Sequence, residues 1–196
     1  MTSSSTERTG ESQQRTGGAP VIGAAPGPLE TVRAFVNTLD IDEGTDELRT
    51  PAELSNWLSS HGPTAERATD ADLRRAIEVR ETLRAILRAH ASATHPDREN
   101  STGRPAADLR AIADGQVRVA EGGATPAAGL ARILLIAAEA STTGTWPRLK
   151  ICSADDCQWA FYDRSPTKSA CWCSMAGCGS RAKSRAYRQR AAARLR

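Results

Sequence analysis

The chain has 196 residues, 39% apolar, 25% charged and only 4% aromatic, with a formal net charge of +3. That length suits one domain with a small appendage around an aliphatic core. No apolar run approaches the ~20 residues of a membrane span, and the N-terminus has no signal-type apolar stretch, so a cytoplasmic protein with no membrane partner is expected.

Met1 to Gly27 is rich in Ser, Thr, Gly, Pro and Gln. It buries too little surface to offset its ordering entropy, so residues 1–27 read as a disordered tail. Leu29, Val32, Phe35, Val36 and Leu39 then recur at helical spacing. Asp40 to Leu48 is an acidic loop with one glycine. Thr50-Pro51-Ala52-Glu53 combines a capping box with proline at the first helical position, opening a helix with Leu54, Trp57 and Leu58 that stops at Gly62. A longer helix starts at Thr69, with the stripe Leu73, Ala76, Ile77, Leu83, Ile86 and Leu87. A short helix near Pro105 to Ala113 and a brief strand at Val117 and Val119 follow. Thr125-Pro126 caps a last, central helix bearing Leu130, Ile133, Leu134, Ala137 and Ala138.

No catalytic constellation stands out in this body, and an enzyme is not expected. His90 and His95 are five apart, off the spacing that puts two histidines on one helical face. His61, beside Gly62, fits a helix end where it meets the last carbonyls. Glu78, Glu139 and Asp72 fit solvated helix faces, while Phe35 and Trp57 fit the core.

Charge divides the chain. From Trp146 to Arg196 there are 11 Lys/Arg against 3 Asp/Glu, whereas the remainder has 15 against 20. An acidic body with a basic end points to a polyanion partner.

All five cysteines lie in the basic end. Cys152 and Cys157 are separated by four residues, and so are Cys173 and Cys178. Two such pairs supply the four soft ligands of a tetrahedral zinc site. Leu149-Lys150-Ile151 reads as a strand and Gln158 to Asp163 as its return, which puts the first pair on a hairpin tip. Cys178 falls near the start of a long helix, whose positive end favours a thiolate. Disulfides are disfavoured in a reducing compartment. The plant-type iron–sulfur pattern needs a Cys-x2-Cys after the Cys-x4-Cys, which this chain lacks. Cys171, two residues before Cys173, stands in principle as an alternative ligand or as a spare thiol.

The segment CWCSMAGCGSRAKSRAYRQR resembles the end of the CGNR zinc-finger module, and CSADDCQWAFYDRS resembles its first half. LETVRAFVNTLDIDEGTDELRTPAELSNWLSSHG, with Val36-Asn37-Thr38, and LRRAIEVRETLRAIL are similar to the ABATE domain that precedes that module, in a family regarded as stress-induced transcription regulators. The resemblance implies Cys152, Cys157, Cys173 and Cys178 as ligands of Zn2+, since Cys173 follows Trp172 as the family cysteine does. Ser180 stands where the motif has asparagine, and Ala170-Cys171 stands where it has two arginines.

The expectation is thus a mainly α protein with at most minor β: a tail (1–27), a helical ABATE-like domain (28–145), and a small C-terminal zinc-binding β-hairpin/helix module (146–196). The terminal helix places Arg181, Arg185 and Arg188 on one stripe and Lys183, Arg190 and Arg194 on the next, for DNA as first partner. RNA is second, through Tyr162 or Tyr187 stacking on bases. The body would take a small-molecule effector or a protein partner. A thiol/zinc redox switch working through protein contacts is a further reading, carried by Cys171 beside Cys173. Arg181 has a competing structural role in pairing with Asp163.

Overall fold

The computed structural model describes residues 23–62, 66–93 and 123–194. The expected helix at 105–113, the strand at Val117 and Val119, and His95 lie outside them. Helices α1 (Leu29–Val36), α2 (Pro51–His61), α3 (Asp70–Ala93) and α4 (Pro126–Thr142) form the body. Between α1 and α2 lies a short antiparallel ribbon, β1 (Leu39–Asp40) against β2 (Thr45–Asp46). A single 3-10 turn (Trp146–Arg148) leads into an antiparallel hairpin, β3 (Leu149–Ile151) and β4 (Ala160–Tyr162). A π-helical turn (Met175–Gly179) runs into the last helix, α5 (Ser180–Ala193). Helix predominates, as the sequence implied.

The helix starts follow their caps. Thr50 Oγ1 accepts from the Glu53 amide at 3.2 Å while Glu53 Oε2 accepts from the Thr50 amide at 2.9 Å. Thr125 Oγ1 accepts from the Ala128 amide. His61 ends α2 as expected, its Nδ1 2.8 Å from the Trp57 carbonyl and its ring stacked on that indole.

The acidic loop is more ordered than composition implied. It closes into the β1–β2 ribbon, with Gly44 at φ 66° making the turn. Leu39 therefore leaves the helical stripe. On α3, Val79 is buried and Ile77 only half-buried. Arg80 and Arg84 share the inner face, and both are buried. Arg80 grips Asp46 through two bonds of 2.7 and 3.0 Å. Arg84 donates to the carbonyls of Val36, Leu39 and Gln158. Neither buried cation is left without oxygen partners, which is what makes its burial tolerable.

The β3–β4 hairpin is shared by two cores. Side chains alternate across a strand. Leu149, Ile151, Ala160 and Tyr162 face the body, where they join Val32, Phe35, Leu83, Leu87 and Leu130. Phe161 faces the other way, into a second cluster with Cys152, Ala154, Cys157 and Cys178. The body thus uses one side of the hairpin as its own last layer.

Asn37 locks this joint. Its Nδ2 donates to the Ala160 carbonyl at 2.9 Å and its Oδ1 accepts from the Ala160 amide at 2.7 Å. One buried side chain so imitates a neighbouring strand, satisfying a backbone edge that would otherwise be orphaned. His90 on α3 adds a bond to the Leu149 carbonyl at 2.9 Å and an edge contact to Trp146. Residues 23–27, grouped with the tail by composition, are tied to the same hairpin. The Tyr162 amide donates to the Gly23 carbonyl, and Ala25 is buried.

Candidate metal centre and basic helix

The first cysteine pair sits at the hairpin tip. Cys152 follows β3 directly, and the chain turns through Ala154, whose carbonyl accepts from the amides of Cys157 and Gln158. Gln158 takes a left-handed φ of 50°, which reverses the chain into the returning strand. The second pair comes from a loop and a helix start. Ser174 Oγ accepts from the Gly177 amide, capping the π-helical turn that carries Cys178. Gly179 is buried here: a Cβ on it would stand 3.0 Å from Met175 Sδ and 3.4 Å from Trp172 Cδ1. A side chain there would have to push the exposed Met175 side chain aside by a few tenths of an ångström.

The sulfurs of Cys152, Cys157, Cys173 and Cys178 all lie within 4.8 Å of one another. Cys173 is 3.7 Å from both Cys157 and Cys178. A tetrahedron with Zn–S bonds of ~2.3 Å has sulfur edges of about 3.8 Å, so the set fits one zinc ion. Four soft donors with no open position belong to a structural site rather than a catalytic one. Cys171 is outside this group; its carbonyl instead accepts from the Ser153 amide at 2.8 Å.

The thiols are strongly coupled. Hydrogen bonds from Cys157 and Cys173, joined by the amides of Cys173 and Ala154, hold Cys152 well below the usual thiol range. Its proximity pushes Cys157 up to about 12, and Cys173 is raised by Cys152 and Cys157 together. Four neighbouring thiols resist becoming four thiolates, and a bound dication removes that resistance.

A buried ion pair holds the loop between the two halves. Lys150 and Asp163 are both fully buried, with Nζ 2.9 Å from Oδ2. Lys150 also donates to the carbonyls of Lys168 and Ala170. Asp163 accepts from the amides of Ser165 at 2.8 Å and Ala170 at 3.0 Å. Burial alone would raise the Asp163 pKa, but the bonds from Ser165 and Lys150 outweigh it and leave the carboxyl below its ordinary value. The loop so pinned at residues 163–170 delivers Cys173. Lys150 was invisible as a site residue, since a lysine in a three-residue strand normally reads as solvated. Asp163 was visible as part of the motif and as an expected partner of Arg181, not of Lys150.

Arg181 does not pair with Asp163. Its Nη2 donates to Cys178 Sγ at 3.1 Å, and its Nη1 lies 3.5 Å from Asp42 in the β1–β2 turn. The Cys178 sulfur is the main cause of a raised Arg181 pKa. Arg185 Nη1 lies 3.5 Å from Asp156. Lys183, Arg188, Arg190 and Arg194 are exposed, and no residue of α5 is buried. The helix thus leaves the metal cluster as a largely exposed cationic arm, tied back on one side by Arg181 and Arg185. Tyr162 is buried and unavailable for stacking, while Tyr187 is 69% exposed. Ser180, in place of the motif asparagine, donates to the Met175 carbonyl.

A scan against protein families matches residues 30–150 to ABATE, described as "Putative stress-induced transcription regulator". The chain belongs to the ABATE family. Residues 148–191 match the CGNR zinc finger, whose span contains all four clustered cysteines. The two matches meet in β3, the strand that the ABATE body and the finger share. A search of the curated proteins returns no match. The family description is regulatory rather than catalytic, and among the described residues no helix is long and apolar enough to cross a membrane.

Proposed function

We propose that this ABATE protein is a zinc-dependent, DNA-binding transcription regulator. Cys152, Cys157, Cys173 and Cys178 ligate the ion, and cations of α5 meet the phosphates. The observation that carries this is the arm itself: a 14-residue cationic helix with no buried residue, launched directly from the turn that bears Cys178. Such a helix has the width and charge to enter a major groove. The finger directs the arm, and the helical ABATE domain, residues 28–145, takes the effector or partner. The exposed Tyr187 favours RNA as the second reading, because an unpacked aromatic among cations stacks on unpaired bases.

Fluorescence anisotropy on the zinc-loaded full chain tests this. Binding to a labelled random duplex should weaken steeply with salt, with a log–log slope near −0.9 per phosphate neutralised. It should also fall when a chelator removes zinc. Preferential competition by single-stranded RNA at equal salt would transfer the reading to RNA. Absence of binding to either polymer in low salt would overturn both.

A further inference from the structure

The cations of α5 are not equivalent. At 100° per residue, Arg181, Arg185 and Arg188 fall on one side, while Lys183, Tyr187, Arg190 and Arg194 fall on a stripe roughly opposite. Ala182 and Ala186, both half-buried, mark a flank turned toward the finger. On the first side, two arginines face acids of this same chain: Arg181 meets Asp42 and Arg185 meets Asp156, each at 3.5 Å. Arg181 is further engaged by Cys178 Sγ. On the second stripe, no ion pair forms with any of the described residues, and Tyr187 is the most exposed large hydrophobic side chain among them.

We infer that the nucleic-acid face of the arm is the stripe Lys183, Tyr187, Arg190 and Arg194, and that Arg181 and Arg185 are positioning residues that aim the helix. The inference rests on the duplex-binding reading above. A phosphate approaching Arg181 would have to displace a carboxylate and a thiolate, and one approaching Arg185 would have to displace Asp156. The outer stripe meets no such competition. It spans twelve residues, eleven rises or about 16 Å, against a major groove about 12 Å wide. Lys183 and Arg194 at its ends reach the backbone on either side. Tyr187 and Arg190 between them face the base edges.

The test is the salt dependence of duplex binding by four zinc-loaded full-length proteins: wild type, Lys183→Ala/Arg194→Ala, Arg185→Ala and Tyr187→Ala. Every substituted residue is exposed, and circular dichroism with zinc content checks that each variant is folded. The double variant should make the log–log slope shallower by about 1.8, two phosphates' worth. Arg185→Ala should leave the slope at the wild-type value. Tyr187→Ala should lower affinity several-fold without altering the slope, because it removes contact and no charge. A slope made shallower by Arg185→Ala but not by the double variant would overturn the assignment while leaving DNA binding standing. Failure of the wild type to bind duplex in low salt would overturn the parent reading and this assignment together.

Discussion

Removing either member of the Lys150–Asp163 pair tests how the finger is held. Lys150→Met keeps the aliphatic stem and deletes the ammonium, leaving Asp163 ionised and fully buried, with Ser165 and the Ala170 amide as its remaining donors. Asp163→Asn does the reverse, leaving a buried ammonium facing two carbonyls. Breaking a buried pair from one side costs about 3–5 kcal/mol. Each single variant should lose that much, a large part of the ~5–15 kcal/mol that holds a typical domain. The double variant Lys150→Met/Asp163→Asn buries no charge, and the carboxamide oxygen it introduces still accepts from a backbone amide. Its loss should fall short of the sum of the singles by about 2 kcal/mol or more. Urea unfolding of the zinc-loaded chain, followed by tryptophan fluorescence with zinc release in parallel, measures all four corners of the cycle. Singles that cost under about 1 kcal/mol, or costs that simply add, would refute the reasoning.

Asn37→Ala should cost about 1–3 kcal/mol, because it leaves the buried amide and carbonyl of Ala160 unpaired; thermal unfolding measures this, and a neutral result would contradict the docking role. Arg181→Ala should weaken zinc retention about 10–100-fold in a chelator competition, by removing the donor to Cys178 Sγ, with Arg181→Lys recovering only part. Burial first, then the nearby Lys150 charge, lowers the His90 pKa, although the Leu149 carbonyl works against this. The unfolded chain therefore takes a proton that the folded chain refuses. The stability His90 contributes is present above the unfolded value of about 6.5 and is lost as pH falls below it. Unfolding free energy measured from about pH 7.5 to 5.5 with zinc bound should decline, and His90→Gln should flatten that decline.

Much of this architecture was readable from residue order. The capping box at Thr50, the stop at Gly62, the stripes of α1 and α4 and the duplicated Cys-x4-Cys are local signals, and local geometry honours them. The β1–β2 ribbon was not readable, because two residues per strand leave no alternation to detect. Arg80 and Arg84 broke the stripe of α3: arginine normally marks the solvent side, and here partners distant in sequence make burial tolerable. Asn37 was noticed only as part of a motif, since its partner is 123 residues away. At the candidate site, spacing left Cys171 as an alternative to Cys173 until the family resemblance chose between them, and it did not reveal the ion pair beneath the four thiols. Nor did it reveal that Asp42 and Asp156 engage two of the helix's cations. Composition also placed residues 23–27 in a tail, while the β4 edge supplies the hydrogen bond that holds them.

The metal centre bears most of this account, and metal content by native mass spectrometry tests it most directly. The purified full chain should carry one zinc ion, Cys171→Ser should retain it, and Cys173→Ser should lose it together with the order of residues 146–196. Zinc kept in Cys173→Ser and lost in Cys171→Ser, or no zinc in the wild type under reducing conditions, would contradict the four-sulfur site.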